Sequence, residues 1–98
     1  MASYLVLGNY TQQGMQMIRA APARIDTARE VMDKVGAKLV AWFFTLGRYD
    51  FAILVEAPSP DVIAKLMLAI GSHGNIRTET LQAFNQQEFH QIVTDLPY

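Results

Sequence analysis

Apolar residues recur along the chain with two different periods, and these periods predict the elements of the fold. Short apolar runs rich in β-branched and aromatic residues predict four strands, at Tyr4–Tyr10, Lys38–Leu46, Phe51–Ala57 and Asn75–Phe84. Apolar positions three and four residues apart predict helices, which run from Pro22 to about Gly36, from Pro60 to about Gly71 and from Gln86 to about Val93. The resulting order is β-α-β-β-α-β with a terminal helix.

Turn and capping residues mark the boundaries of these elements. Thr11 is placed to cap a short turn, and Gly36 is placed to end the first long helix in the left-handed conformation. Ser59 is the expected N-cap before a proline at the first helical position. The segment Gly47–Asp50 predicts a hairpin turn, and the segment Asn85–Glu88 predicts a capping box.

This order predicts a single α+β domain over residues 1–98, with a ferredoxin-like four-stranded antiparallel sheet and both long helices on one face. The uncovered face of such a sheet normally alternates with polar residues. Here both predicted faces of the second strand are apolar; one carries Leu39, Ala41 and Phe43, and the other Val40, Trp42, Phe44 and Leu46. We therefore expect a homodimer that pairs sheet to sheet as a dimeric α+β barrel. The alternative is a monomer with an exposed apolar sheet.

The composition strengthens the expectation of an assembly. Hydrophobic residues make up 51% of the chain and charged residues only 17%, against a typical value of about 25%. A net charge of −1 argues against nucleic-acid binding. The absence of cysteine excludes disulfides and zinc-thiolate sites. The composition fits a cytoplasmic globular protein. We expect no membrane partner, because the longest apolar run, Leu39–Leu46, is too short to span a bilayer.

Several motifs resemble the GYD domain family. They are the Gly47-Arg48-Tyr49-Asp50 turn followed by FAILVEAPSPD, the opening YLVLGNYTQQG and the late GNIRTETLQAF. The resemblance covers nearly the whole chain and implies a ferredoxin-like fold of the dimeric α+β barrel group. The second half is more loosely similar to the effector-sensing domain of the Lrp/AsnC transcription regulators, which senses amino acids at subunit interfaces. The chain has no room for the DNA-binding helix-turn-helix of those regulators.

Other dimeric α+β barrels are cofactor-free monooxygenases or haem-degrading enzymes. Some of them use an Asn on the first strand, a Trp on the sheet and a His near the end of the second helix. By this resemblance the candidate catalytic residues are Asn9, Trp42 and His73. Each also has a structural interpretation: Trp42 suits a core or dimer interface, and a His near a helix C-terminus is stabilised by the dipole.

Candidate ligand-binding residues concentrate in the hairpin turn and the last strand. Arg48 can bind a carboxylate or phosphate with two parallel hydrogen bonds, Tyr49 offers a hydroxyl, and Asp50 accepts backbone donors. All three also suit a purely structural turn. Arg77 shares a strand face with Glu79, so it either binds an anion at the barrel mouth or forms an ion pair.

Asn9 is the remaining ligand-binding candidate, in a pocket between helices and sheet that Trp42 and methionines also line. We expect no metal site, because neither HxH nor HExxH spacing occurs, and no cofactor. The sequence therefore favours a homodimeric small-molecule-binding or sensing module. Two alternatives stay open: a monooxygenase-like or haem-processing enzyme, and a structural or assembly role.

Overall fold

The computed structural model describes residues 1–98 and contains the predicted order of strands and helices. The strands are β1 (Ala2–Tyr10), β2 (Lys38–Phe44), β3 (Phe51–Ala57) and β4 (Ile76–Ala83). The helices are α1 (Gln12–Gln16), α2 (Ala21–Lys34), α3 (Pro60–Gly71) and α4 (Gln86–Thr94), with a 3₁₀ turn at Ile18–Ala20 before α2. The predicted α+β, ferredoxin-like fold is confirmed.

The four strands form one antiparallel sheet in the order β2-β3-β1-β4. The central strand β1 pairs with β3 from Ala2 opposite Ala57 to Gly8 opposite Phe51. On its other side it pairs with β4, from Ser3 opposite Ala83 to Tyr10 opposite Ile76. The more polar strand β4 lies at an edge, where its unpaired side meets solvent.

A β-bulge in β2 overturns the predicted division of that strand into two faces. The pairing register with β3 shifts between Leu39 and Ala41, so Val40 is the extra residue. An inserted residue reverses the alternation of side chains that follow it. Leu39 and Trp42 therefore share the face toward the helices, whereas Ala41 and Phe43 lie on the other face. The period-two pattern could not show this, because residues of both parities are apolar.

Helices α2 and α3 cover one side of the sheet, which we call the inner face. Its core residues are Tyr4, Val6, Leu39, Phe51, Ile53 and Val55. Met32 of α2, together with Ile63 and Leu66 of α3, packs against them. Val6 and Val55 are 0% exposed, and burying a side chain of this size stabilises the fold by about 1.5–3 kcal/mol.

The opposite side, the outer face, is apolar but uncovered within the chain. Its apolar residues by strand alternation are Leu5, Leu7, Ala41, Phe43, Ala52, Leu54 and Leu81. Leu5 is 39% exposed, Leu81 44% and Phe43 62%. The uncovered apolar face predicted from the sequence is therefore present.

Helix ends follow the capping predictions with one difference. The Thr11 hydroxyl accepts a hydrogen bond from the Gly14 amide at 3.1 Å, and Gly36 has φ 78°. Asn85 and Glu88 form the predicted capping box. Ser59 occupies the N-cap of α3, but its hydroxyl donates to the Asp61 carboxylate at 2.6 Å instead of capping the backbone. This hydrogen bond is the main cause that lowers the pKa of Asp61.

Helix α4 gives the chain an elongated shape. All of its residues are exposed, including the apolar Phe89, Ile92 and Val93. The chain measures 52 × 32 × 19 Å, with a radius of gyration of 14.9 Å. A compact domain of this length has a radius of gyration of about 13 Å. The terminal helix therefore contributes little to the core of its own domain.

Candidate functional site

A cavity of about 340 Å³ lies between the inner face and helices α2 and α3. Ligand-binding cavities typically measure about 300–1,000 Å³ and combine apolar walls with a few polar groups. Of the 18 residues that line this cavity, 13 are hydrophobic. The cavity thus has the size and composition of a site for one small organic molecule.

Three aromatic rings form the floor of the cavity on the sheet. Trp42 stacks on Phe51 with ring centroids 6.1 Å apart and an interplanar angle of 14°. Tyr10 meets the same Phe51 ring at 5.4 Å in a tilted arrangement. The bulge at Val40 makes this floor, because without it Trp42 would lie on the outer face.

Arg24 is the main charged group in the cavity wall. Its Nη1 atom is buried and has no hydrogen-bond partner, and no Asp or Glu lines the cavity. An always-charged guanidinium without a partner in an apolar wall is costly. The unsatisfied Nη1 atom therefore needs an explanation, although the Arg24 side chain as a whole is only half-buried.

The Tyr10 hydroxyl is the second polar group at this end of the cavity. Burial raises the pKa of Tyr10, the negative charge of Asp50 raises it further, and Arg24 partly offsets both effects. The phenol therefore keeps its proton at neutral pH and can donate a hydrogen bond. Tyr10 and Arg24 thus both contribute hydrogen-bond donors to the residues that line the cavity.

The loop after α3 forms the cavity mouth and is held in place by α1. Gln13 Nε2 donates to the His73 carbonyl and to the Asn75 side chain, each at 3.0 Å. The Thr11 amide donates to the Asn75 carbonyl at 3.0 Å. Gly14 allows this approach, since a Cβ there would lie 2.0 Å from the Asn75 oxygen. His73 and Asn75 consequently line the mouth in fixed backbone positions.

The candidate residues Arg48, Tyr49 and Asp50 lie in the hairpin turn, which is beside the end of β1 and outside the cavity. Asp50 accepts a hydrogen bond from the Tyr10 amide at 2.9 Å, and its own amide donates to the Gly8 carbonyl at 2.8 Å. The Tyr49 hydroxyl lies 3.3 Å from a Glu79 carboxylate oxygen. Asp50 thus holds the hairpin against the sheet, and Arg48 is exposed in the turn.

The structure brings together only part of the residue set predicted from the sequence. Trp42 and His73 line the cavity. Asn9 lies opposite Arg77 in the β1–β4 pair, on the outer face, because neighbouring Gly8 faces Phe51. Arg48, Tyr49, Asp50, Asn9 and Arg77 do not line the cavity. The candidate catalytic set of Asn9, Trp42 and His73 is therefore divided between the two faces.

Sequence reasoning missed Arg24, although the sequence carries a signal for it. Arg24, Ala28 and Met32 are spaced four residues apart, so they share one face of α2. Ala28 and Met32 belong to the apolar stripe of that helix. A charged residue within such a stripe marks either a buried ion pair or a ligand contact.

The chain offers no candidate for two other classes of site. No group of three or more His, Asp or Glu side chains is arranged to hold a metal ion. No helix combines the length and the apolar character needed to cross a bilayer. The candidate site is therefore the helix–sheet cavity, which Trp42 and His73 line.

Comparisons with known proteins agree with this architecture. The sequence model described as "GYD domain" matches residues 4–93. A Thermus thermophilus protein named "Glutamine synthetase and cystathionine beta-lyase binding protein" is 33% identical over 84 residues. This alignment covers 85% of the present chain and 88% of the relative.

Solved structures share the fold at lower identity. The feast or famine regulatory protein of M. tuberculosis, solved in complex with L-methionine, has a TM-score of 0.67 at 20% identity. The match covers 88% of this chain and 52% of the regulator, so the chain spans about half of its length. A crystal structure of a Thermus thermophilus protein has a TM-score of 0.55 at 22% identity, over 87% of this chain and 95% of that one.

Proposed function

The chain belongs to the GYD domain family, and we propose that it is a homodimeric small-molecule-binding module whose site is the helix–sheet cavity. The observation that carries this proposal is the cavity itself, with its apolar walls and the unpaired Arg24 guanidinium. A small binding module of this kind fits the cytoplasmic location predicted from the composition. The enzyme alternative has less support, because Asn9 lies on the other side of the sheet from Trp42 and His73.

A matched pair of cavity variants tests the ligand site. Ala28 lines the cavity, whereas Ala23 is exposed on the same helix and does not line it. Ala28→Phe should fill the space and abolish binding, and Ala23→Phe should leave binding intact. A metabolite library screened by thermal shift on the wild type identifies ligands, since binding raises the melting temperature. Ligands that act equally on both variants, or no ligand in the library, would overturn the proposed site.

The outer face supports the homodimer part of the proposal. A contiguous apolar surface on a sheet without covering helices is rare in monomers. A two-fold pair would place Phe43, Leu5 and Leu81 of one copy against those of the other. Sedimentation at micromolar concentration should give twice the 11.0 kDa chain mass. A stable particle of 11.0 kDa would contradict this part of the proposal without affecting the cavity.

Protein docking is a second candidate function, favoured by the printed name of the Thermus thermophilus relative. Helix α4 offers a surface for it, because Phe89, Ile92 and Val93 are apolar and exposed. An apolar helix side of this kind fits a groove on a protein partner. We expect any such docking to use α4 and to leave the cavity free.

Surface plasmon resonance with glutamine synthetase and cystathionine β-lyase from the same organism tests this second function. Binding should be lost in Phe89→Glu and retained in His90→Glu, which changes an exposed polar residue of the same helix. Binding that survives Phe89→Glu would exclude α4 as the docking surface. No binding of either enzyme would contradict this candidate function for the chain.

A further inference from the structure

We infer that the cavity binds a small monocarboxylic acid with an aromatic or similarly flat apolar body. This inference rests on the proposed function, because it names the ligand class of the same cavity. It goes beyond that function by assigning Arg24 as the group that recognises the acid. Three features of the cavity carry it: the unpaired guanidinium, the absence of acidic wall residues and the aromatic floor.

The unpaired guanidinium sets the charge of the ligand. Arg24 makes no hydrogen bond or ion pair within the chain, and its Nη1 atom is buried. The side chain as a whole is half-buried and lines the cavity, and a guanidinium in an otherwise apolar wall is stabilised by a negatively charged partner, so an anion is the complement that this wall lacks. A carboxylate can accept two parallel hydrogen bonds from a guanidinium.

The other polar residues of the cavity wall are compatible with a ligand that carries a single negative charge. The polar residues in the wall besides Arg24 are Tyr10, Thr27, His73, Asn75 and Thr78. None of them carries a negative charge at neutral pH. The carboxylate of Asp50, whose charge acts on Tyr10, lies outside the wall and accepts a hydrogen bond from the Tyr10 amide. A phosphate monoester carries about −1.5 to −2 charges at neutral pH. One half-buried arginine matches a carboxylate better than it matches such a doubly charged group.

The aromatic floor sets the shape of the rest of the ligand. Trp42 and Phe51 lie nearly parallel, and together with the tilted Tyr10 ring they form an apolar surface beside the charge. Flat apolar groups bind such surfaces by offset stacking or edge-to-face contacts. The 340 Å³ volume lies at the small end of ligand cavities. One ring with a short acidic chain therefore fits better than a long chain or a nucleotide.

Matched acids and amides test this inference directly. The probes are 3-phenylpropionate, benzoate and indole-3-acetate, each compared with its primary amide. Isothermal titration calorimetry on the full chain gives the affinities. Because the chain has a single Trp, and Trp42 lines the cavity, its emission reports occupancy by the two phenyl compounds. At least one acid should bind about tenfold or more tightly than its amide.

Three substitutions separate the specific contact of Arg24 from a general effect of positive charge. Arg24→Gln should reduce the affinity for the acid to that for the amide and leave the amide affinity unchanged. Arg19→Gln removes the same charge from an exposed position that does not line the cavity, so it should change neither affinity. Arg24→Lys, which retains the charge, should restore part of the preference for the acid. Circular dichroism confirms that each variant is folded.

The outcomes distinguish this inference from the proposed function. If acids and amides bind equally and Arg24→Gln changes nothing, the inference is wrong while the cavity remains a binding site. If none of the acids binds, this ligand class is wrong, and the Ala28→Phe and Ala23→Phe library screen decides the proposed function independently. If Arg19→Gln weakens binding as much as Arg24→Gln, long-range attraction explains the preference and the assigned contact is wrong.

Discussion

The two faces of the sheet contain similar apolar residues but differ in what covers them. On the inner face, Val6 and Val55 are fully buried beneath α2 and α3. On the outer face, Leu5 and Phe43 remain exposed, although both belong to strands that also carry buried residues. The inner face also contains the cavity with an unpaired Arg24.

This difference teaches that apolar character alone does not identify the role of a surface. The centre of the inner face is packed as a core, and the cavity beside this core has a charged group in its wall. The outer face has no internal cover, and the helix–sheet cavity does not lie on it. We therefore assign the inner cavity to a small ligand and the outer face to a second copy of the chain.

The largest effect is expected from removing the Phe51 ring on the inner face. Phe51→Ala should lower the free energy of unfolding by about 3–5 kcal/mol, because it deletes a buried ring and leaves a cavity. Urea denaturation measures this loss, which should not depend on protein concentration. Phe43→Ala on the outer face is the control. It should lower the free energy of unfolding only by weakening association of the two copies, so its effect should change with protein concentration. Equal, concentration-independent losses would contradict the assignment of the two faces.

The next largest effect concerns association through the outer face. Phe43→Glu places a charge in the proposed dimer interface and should weaken association by about tenfold or more, as measured by sedimentation equilibrium. Phe44→Glu is the matched control, because Phe44 is similarly exposed but pairs with Phe51 on the inner-face side of β2. An unchanged dimer in Phe43→Glu would show that another surface mediates association.

A smaller effect of opposite sign is expected at the cavity wall. Arg24→Met should raise the free energy of unfolding of the ligand-free protein by about 1 kcal/mol, because it removes a buried unpaired donor. Chemical denaturation of the wild type and the variant, without ligand, provides the comparison. A clear loss of stability would mean that Arg24 has a structural partner, and the unpaired guanidinium could no longer support a binding role.

The smallest effect is a pH dependence that originates at Tyr10. Its folded-state pKa is raised above the ordinary value of 10.0 by burial and by Asp50. The unfolded chain therefore loses this proton first as the pH rises. The resulting stability is fully present below about pH 10 and is lost as the pH rises through the folded-state pKa. Denaturation between about pH 9 and 11 should show a steeper loss for the wild type than for Tyr10→Phe; identical slopes would contradict it.

Much of this architecture could be predicted from the sequence because local signals and the global fold agree. Strand and helix periods, the Gly36 helix end and the Asn85–Glu88 capping box all depend on short-range chemistry. The uncovered outer face was predicted because the two long helices cover only one face of the sheet. These predictions required no knowledge of long-range contacts.

The site was harder to predict, because its geometry depends on long-range pairing. The bulge at Val40 decides which face Trp42 joins, and nothing in the unbroken apolar run from Leu39 to Phe44 reveals it. Asn9 was assigned to the pocket, but the alternation in β1 places it on the outer face beside Arg77. Arg24 interrupts the apolar stripe of α2, but the sequence does not show whether such a charge has a partner; the structure shows that its Nη1 atom is buried and has none.

One measurement tests the division between the two faces most directly. Amide and indole chemical shifts of the uniformly labelled protein can be followed during titration with the tightest-binding acid. The account predicts shifts at Arg24, at Thr78 and at the Trp42 indole, with Leu5 and Phe43 unchanged. Shifts confined to Leu5, Phe43 and their outer-face neighbours, with the Trp42 indole unmoved, would contradict it.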